Sequence, residues 1–153
     1  MIRRTAQALF ALLLAAALPA GAEITRIEIS KRQPFAGGMG YGNTGAYERL
    51  TGKFHGELDP AHASNAGITD IERAPRNARG RVEYSGDIDI LKPVDLSRGN
   101  GTLLYDVVNR GSRRAFDVFH LGEHGGNDPA KAVDAGDAFL LRQGYTLVVS
   151  GWQ

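Results

Sequence analysis

Two apolar runs flanking one helix-length segment constrain this chain more than any other feature. Gly101–Val108 (Gly-Thr-Leu-Leu-Tyr-Asp-Val-Val) is apolar on both alternating sets of positions, and Tyr145–Ser150 repeats that character. Strands buried on both faces of a parallel sheet have this pattern. Between them, Asn127 or Asp128 suits a helix N-cap, Pro129 its first position and Gly144 its end. Ala132, Val133, Gly136, Phe139 and Leu140 fall on one helical arc, with Lys131, Asp134, Asp137 and Arg142 mostly opposite. The expectation is a strand-helix-strand unit with parallel strands, a right-handed crossover and the helix laid on one sheet face. In open sheets of this kind ligands gather beyond the carboxyl ends of the strands. Those ends lead here into Asn109-Arg110-Gly111 and Gly151-Trp152-Gln153. Asn109, Arg110, Gly111, Gly151 and Trp152 are therefore the candidate site residues.

Upstream the pattern changes to one-sided strands. Ile24, Ile27 and Ile29 among Thr25, Arg26, Glu28 and Ser30 predict a half-buried strand that Pro34 ends. Five glycines between Gly37 and Gly45 oppose any regular element there. Tyr47–Leu58 reads as a second strand closed by Asp59-Pro60, and residues 60–80 as loop. Arg81–Leu91 alternates, with Val82, Tyr84, Ile88 and Ile90 on one set and Glu83, Ser85, Asp87 and Asp89 on a wet face. The domain reading is residues 1–22 as a signal peptide, 23–100 as a mostly antiparallel lead-in and 101–153 as the start of a parallel core.

The signal assignment rests on Arg3 and Arg4, the apolar run Ala6–Leu18 and the small-x-small site Ala20-Gly21-Ala22. The apolar run is short for a membrane span of about 20 residues, so an exported product, periplasmic or extracellular, is expected. Cleavage after Ala22 removes Arg3 and Arg4 from the 18 basic residues, leaving 16 against 17 acidic ones, a net charge of −1. That balance gives no electrostatic case for nucleic acid or for an anionic membrane surface. Without cysteine, an exported chain must rely on a packed core rather than on disulfides.

Three further patterns are weaker. Gly40-Tyr-Gly42-Asn-Thr-Gly45 fits G-x-G-x-x-G, but it neither follows a buried strand directly nor opens a helix, so a loop is the better reading than a dinucleotide site. His120-Leu-Gly-Glu123-His124 fits H-x-x-E-H, but Gly122, Gly125 and Gly126 oppose the helix that metal binding needs. A polar surface loop is expected there, with no metal. Arg113-Arg114 reads as a solvated pair. Asn109-Arg110-Gly111 carries the strongest chemistry, because a glycine after a buried strand lets backbone amides point toward a reacting oxygen.

A longer series of residues resembles a known family. Tyr47-Glu-Arg-Leu-Thr-Gly52, Asp59-Pro60, Ile68-Thr-Asp70-Ile71, Ala74-Pro75-Arg-Asn77, Gly80-Arg-Val82-Glu-Tyr84, Leu104–Gly111, Asn127-Asp128-Pro129, Gly144-Tyr145-Thr146 and Ser150–Gln153 are similar to the amino-terminal part of a group of large, often exported bacterial α/β-hydrolase-domain proteins. The resemblance implies an α/β fold in which antiparallel lead-in strands join the first strand-helix-strand unit of an α/β-hydrolase sheet. It also implies hydrolysis of a small ester or related acyl substrate, without a cofactor. On that reading Leu103–Val108 is the third strand, Asn109-Arg110-Gly111 the oxyanion loop and Tyr145–Ser150 the fourth strand. One departure matters: none of Ser30, Ser64, Ser85, Ser97, Ser112 and Ser150 stands in G-x-S-x-G. The resemblance therefore places nucleophile, acid and histidine beyond Gln153, and makes this an amino-terminal fragment that is inactive alone. The alternative is a small secreted non-catalytic binding module using the loops around Asn109 and Trp152.

Overall fold

The computed structural model describes residues 21–108, 112–121 and 128–151. Six strands form one mixed sheet: β1 (Ala22–Pro34), β2 (Gly40–Tyr41), β3 (Gly45–Leu58), β4 (Val82–Pro93), β5 (Leu103–Val107) and β6 (Thr146–Ser150). Their order is β1-β3-β4-β6-β5, with β2 paired onto β3. Contacts between β1 and β3 run from Thr25–His55 through Ser30–Thr51 to Arg32–Glu48, one strand advancing as the other recedes, so the pair is antiparallel. β4 pairs antiparallel with β6, and β6 parallel with β5.

Strand accounts for 43% of the described residues and helix of all kinds for 24%. The helices are short: α1 (Ala115–Phe119), α2 (Phe139–Arg142) and several 3₁₀ turns. This corrects the fold expectation. The molecule is a mixed, sheet-dominated structure, richer in sheet than the α/β-hydrolase fold. The crossover helix expected over residues 127–144 is two separate pieces, a 3₁₀ turn at Ala132–Ala135 and α2. Acidic side chains explain the break. Asp134 accepts the Ala130 and Lys131 N–H groups and Asp137 the Phe139 N–H, each starting a new turn rather than continuing the last. Gly136 and Ala138 between them have positive φ. The buried face also differs, because Ala135, Ala138, Leu140 and Leu141 point inward while Val133 and Phe139 are exposed.

Three other expectations change. β1 is exposed along nearly its whole length rather than half-buried, since it lies at the sheet edge. β5 is the opposite edge and is not buried on both faces: Leu103, Tyr105 and Val107 are more than half exposed. The Gly40–Gly45 stretch is a tight antiparallel hairpin, with Gly40 opposite Ala46 and Tyr41 opposite Gly45.

The chain divides into two compact units. In the smaller, which includes Glu57–Glu83, the buried Asn65 amide donates to the Asp59 and Gly21 carbonyls, and the Asn77 amide donates to Glu57 and Glu83. In the larger, Ile24–Gly56 with Tyr84–Gln153, a core gathers on one sheet face around Phe35, Tyr47, Leu91, Leu141 and Leu147. Each such side chain contributes about 1.5–3 kcal/mol on burial. Tyr47 fixes the hairpin to the α2 region, because its hydroxyl lies 3.0 Å from the Leu141 carbonyl and 2.9 Å from that of Tyr145. Burial raises its pKa well above the ordinary phenol value, so it stays a donor.

Candidate functional site

Strand register sets the site. Leu91, Leu147 and Leu104 form one cross-strand row, and two residues further along β6 the next row on that face is Asp89, Val149 and Asp106. Side chains two apart share a face, so a polar row stands beside an apolar one near the carboxyl ends of β5 and β6. Arg49, from β3, extends the polar row by pairing with Asp89.

These groups line a small cavity of ≈ 20 Å³, open on one side, with Phe35, Leu91, Phe116, Pro129, Leu147 and Val149 as apolar walls. Arg49 and Asp89 are both buried. Arg49 Nε donates to Asp89 Oδ2 at 2.8 Å, and its Nη1 donates to the Asp128 carboxylate and, at 2.9 Å, to the Pro129 carbonyl. Arg113 Nη2 reaches the same Asp89 oxygen at 2.6 Å. Burial works against the Arg49 charge, yet its hydrogen bonds to Asp89 and Asp128 outweigh that and leave its pKa raised. Those from Arg49 hold Asp128 below the usual carboxylate range. Asp106 Oδ2 accepts the Arg114 and Ala115 N–H groups at 2.9 Å each, tying β5 to the first turn of α1. Two carboxylates, Asp89 and Asp128, thus meet two guanidiniums, and the Asp106 carboxylate beside them is held by backbone N–H groups. The cavity has room for about one water-sized group, set between apolar walls and the ion network.

Of the candidate residues, Asn109, Arg110, Gly111 and Trp152 lie outside the described residues. Gly151 is half-buried, and its N–H donates to the Asp87 carbonyl at 2.9 Å. Its own carbonyl lies so close to Gly86 that a side chain there would collide with it. Register places Val107 opposite Ser150, so the chain leaves the sheet toward Asn109 and toward Trp152 from adjacent strand ends. Arg113 and Arg114 are not a uniform solvated pair, since Arg113 turns in to Asp89 while Arg114 is exposed.

His120 is not on a polar surface loop: it is fully buried, and Nε2 accepts the Leu140 N–H at 3.2 Å, which leaves that lone pair unavailable to a metal. Glu123 and His124 lie outside the described residues. Among the described residues no three His, Cys, Asp or Glu side chains could share a metal ion, and no helix is long and apolar enough to cross a membrane. Sequence reasoning missed Arg49, Asp89, Asp106 and Asp128. Asp89 occupies a position that alternation assigns to a wet face, and its partner comes from a different strand. Tyr47, Glu48 and Arg49 are all buried in succession, a break in alternation that no sequence pattern reports. Compared with protein-family models, curated proteins and solved structures, the chain matches none.

Proposed function

We propose that this chain supplies the oxyanion side of an exported hydrolase acting on a small ester or related acyl substrate, the attacking nucleophile coming from outside residues 1–153. The parallel register of β5 and β6 is the observation that carries the reading. It ends β5 and β6 side by side at Val107 and Ser150, the strand ends at which Asp106 and Val149 line a cavity with apolar walls and an ionic rim. Backbone amides at Asn109–Gly111 then hold the developing oxyanion, and the apolar wall takes the acyl chain.

The test is an NMR titration of the purified chain with a ketone isostere of a short ester, beside an assay with p-nitrophenyl butyrate. Amide shifts are expected at Asn109–Gly111 and Gly151, lost in Gly111→Pro, with no turnover. Shifts absent from those amides, or turnover unchanged by Gly111→Pro, would overturn the proposal.

One observation favours a non-catalytic binding module as a second reading. Among the described residues no serine or threonine lines the cavity, and Ser150 is on the opposite sheet face, hydrogen-bonded to the Tyr105 hydroxyl. That reading expects an apolar ligand to bind Gly111→Pro as tightly as wild type.

A further inference from the structure

The two edges of the sheet differ sharply. β1 exposes apolar side chains, but Arg26, Glu28, Lys31 and Arg32 stand among them, the usual guard against edge-to-edge pairing. β5, Leu-Leu-Tyr-Asp-Val, has a single charge. The Asp106 carboxylate is engaged with the Arg114 and Ala115 N–H groups. Among the described residues β5 pairs with β6 on one side and with no strand on the other. Alongside it runs a groove of ≈ 130 Å³ lined by Leu104, Tyr105, Asp106, Arg114, Val118 and Phe119. Val118 is 58% and Phe119 44% exposed.

We infer that this edge is a self-association surface whose occupant is β5 of a second copy, paired antiparallel about Tyr105. The sequence is self-complementary in that register. Leu103 meets the partner's Val107, Tyr105 meets the partner's Tyr105, and Leu104 meets the partner's Asp106. One face becomes a continuous apolar ridge, and no like charges stand opposed. Pairing of one strand with its own copy is isologous, so it consumes both free edges and closes as a dimer, leaving the charged β1 strands outermost. Five residues of edge alone are small against the 1,200–2,000 Å² typical of stable interfaces, so the Val118 and Phe119 wall must join the contact.

Sedimentation velocity of the mature chain over a range of micromolar concentrations tests this. Wild type is expected as a dimer. Leu103→Lys/Val107→Lys should raise the dissociation constant at least about tenfold, with an unchanged circular dichroism spectrum. Phe119→Glu should weaken the dimer independently, and Ile27→Lys on β1 should leave it intact. A monomeric wild type, a dimer indifferent to both the β5 and Phe119 substitutions, or open-ended aggregates would overturn the inference.

Discussion

His120 shows how one buried side chain makes a fold sensitive to acid. Its ring is fully buried, 4.8 Å from that of Phe116, and its carbonyl accepts the Asp137 N–H at 2.7 Å. Because Nε2 accepts from Leu140, the neutral ring carries its proton on Nδ1, which has no partner among the described residues. Burial lowers its pKa from 6.5 to about 4, Asp137 opposing and Arg142 adding to the shift. The unfolded chain then takes up a proton between these values that the folded chain refuses. The His120 contribution to stability should fall as pH drops from about 6.5 to about 4 and level off below, by on the order of 3 kcal/mol in all. Urea midpoints across that range check this, and His120→Gln, which keeps an acceptor for Leu140, should flatten the slope. Tyr47→Phe is the second residue-scale case. It removes a hydroxyl shared by two buried carbonyls and should cost about 1–3 kcal/mol in urea unfolding at every pH near neutrality.

Between elements, the Arg49–Asp89 pair does most of the joining, linking β3 to β4, to Arg113 and to the Asp128-Pro129 segment. Arg49→Met leaves the buried Asp89 carboxylate with Arg113 as its remaining charged partner and should cost up to about 3–5 kcal/mol, while Arg49→Met/Asp89→Leu should recover much of that loss. Thermal unfolding of the two variants decides it, and equal losses would mean that the pair acts through packing alone. Element boundaries were readable where one physical effect dominated. Alternation and turn residues located β3 and β4 within a few positions. The 127–144 helix was misread because Asp134 and Asp137 compete for the backbone N–H groups that a continuous helix would use. Asp89 was misread because alternation reports which side of a strand a residue occupies, and a carboxylate partnered by Arg49 is stable on the covered side.

For the molecule as a whole, the parallel β5–β6 pair and its apolar character were legible, but the exposure of β5 was not. An apolar run records what a strand can bury, and only the strand order tells which neighbours it has. The polar row was invisible for the same reason, since Arg49, Asp89, Asp106 and Asp128 become one feature only through register. The four groups differ in their access to solvent. The Asp128 side chain is 88% exposed, whereas the Arg49 side chain it reaches is 5% exposed. Mobile ions in the medium can therefore crowd one end of that link while never touching Arg49–Asp89. The screening length shrinks from about 8 Å at physiological ionic strength to about 3 Å at 1 M. As salt rises, the Pro129 wall of the cavity becomes the salt-responsive part of the molecule, free to loosen while the sheet beneath keeps its shape.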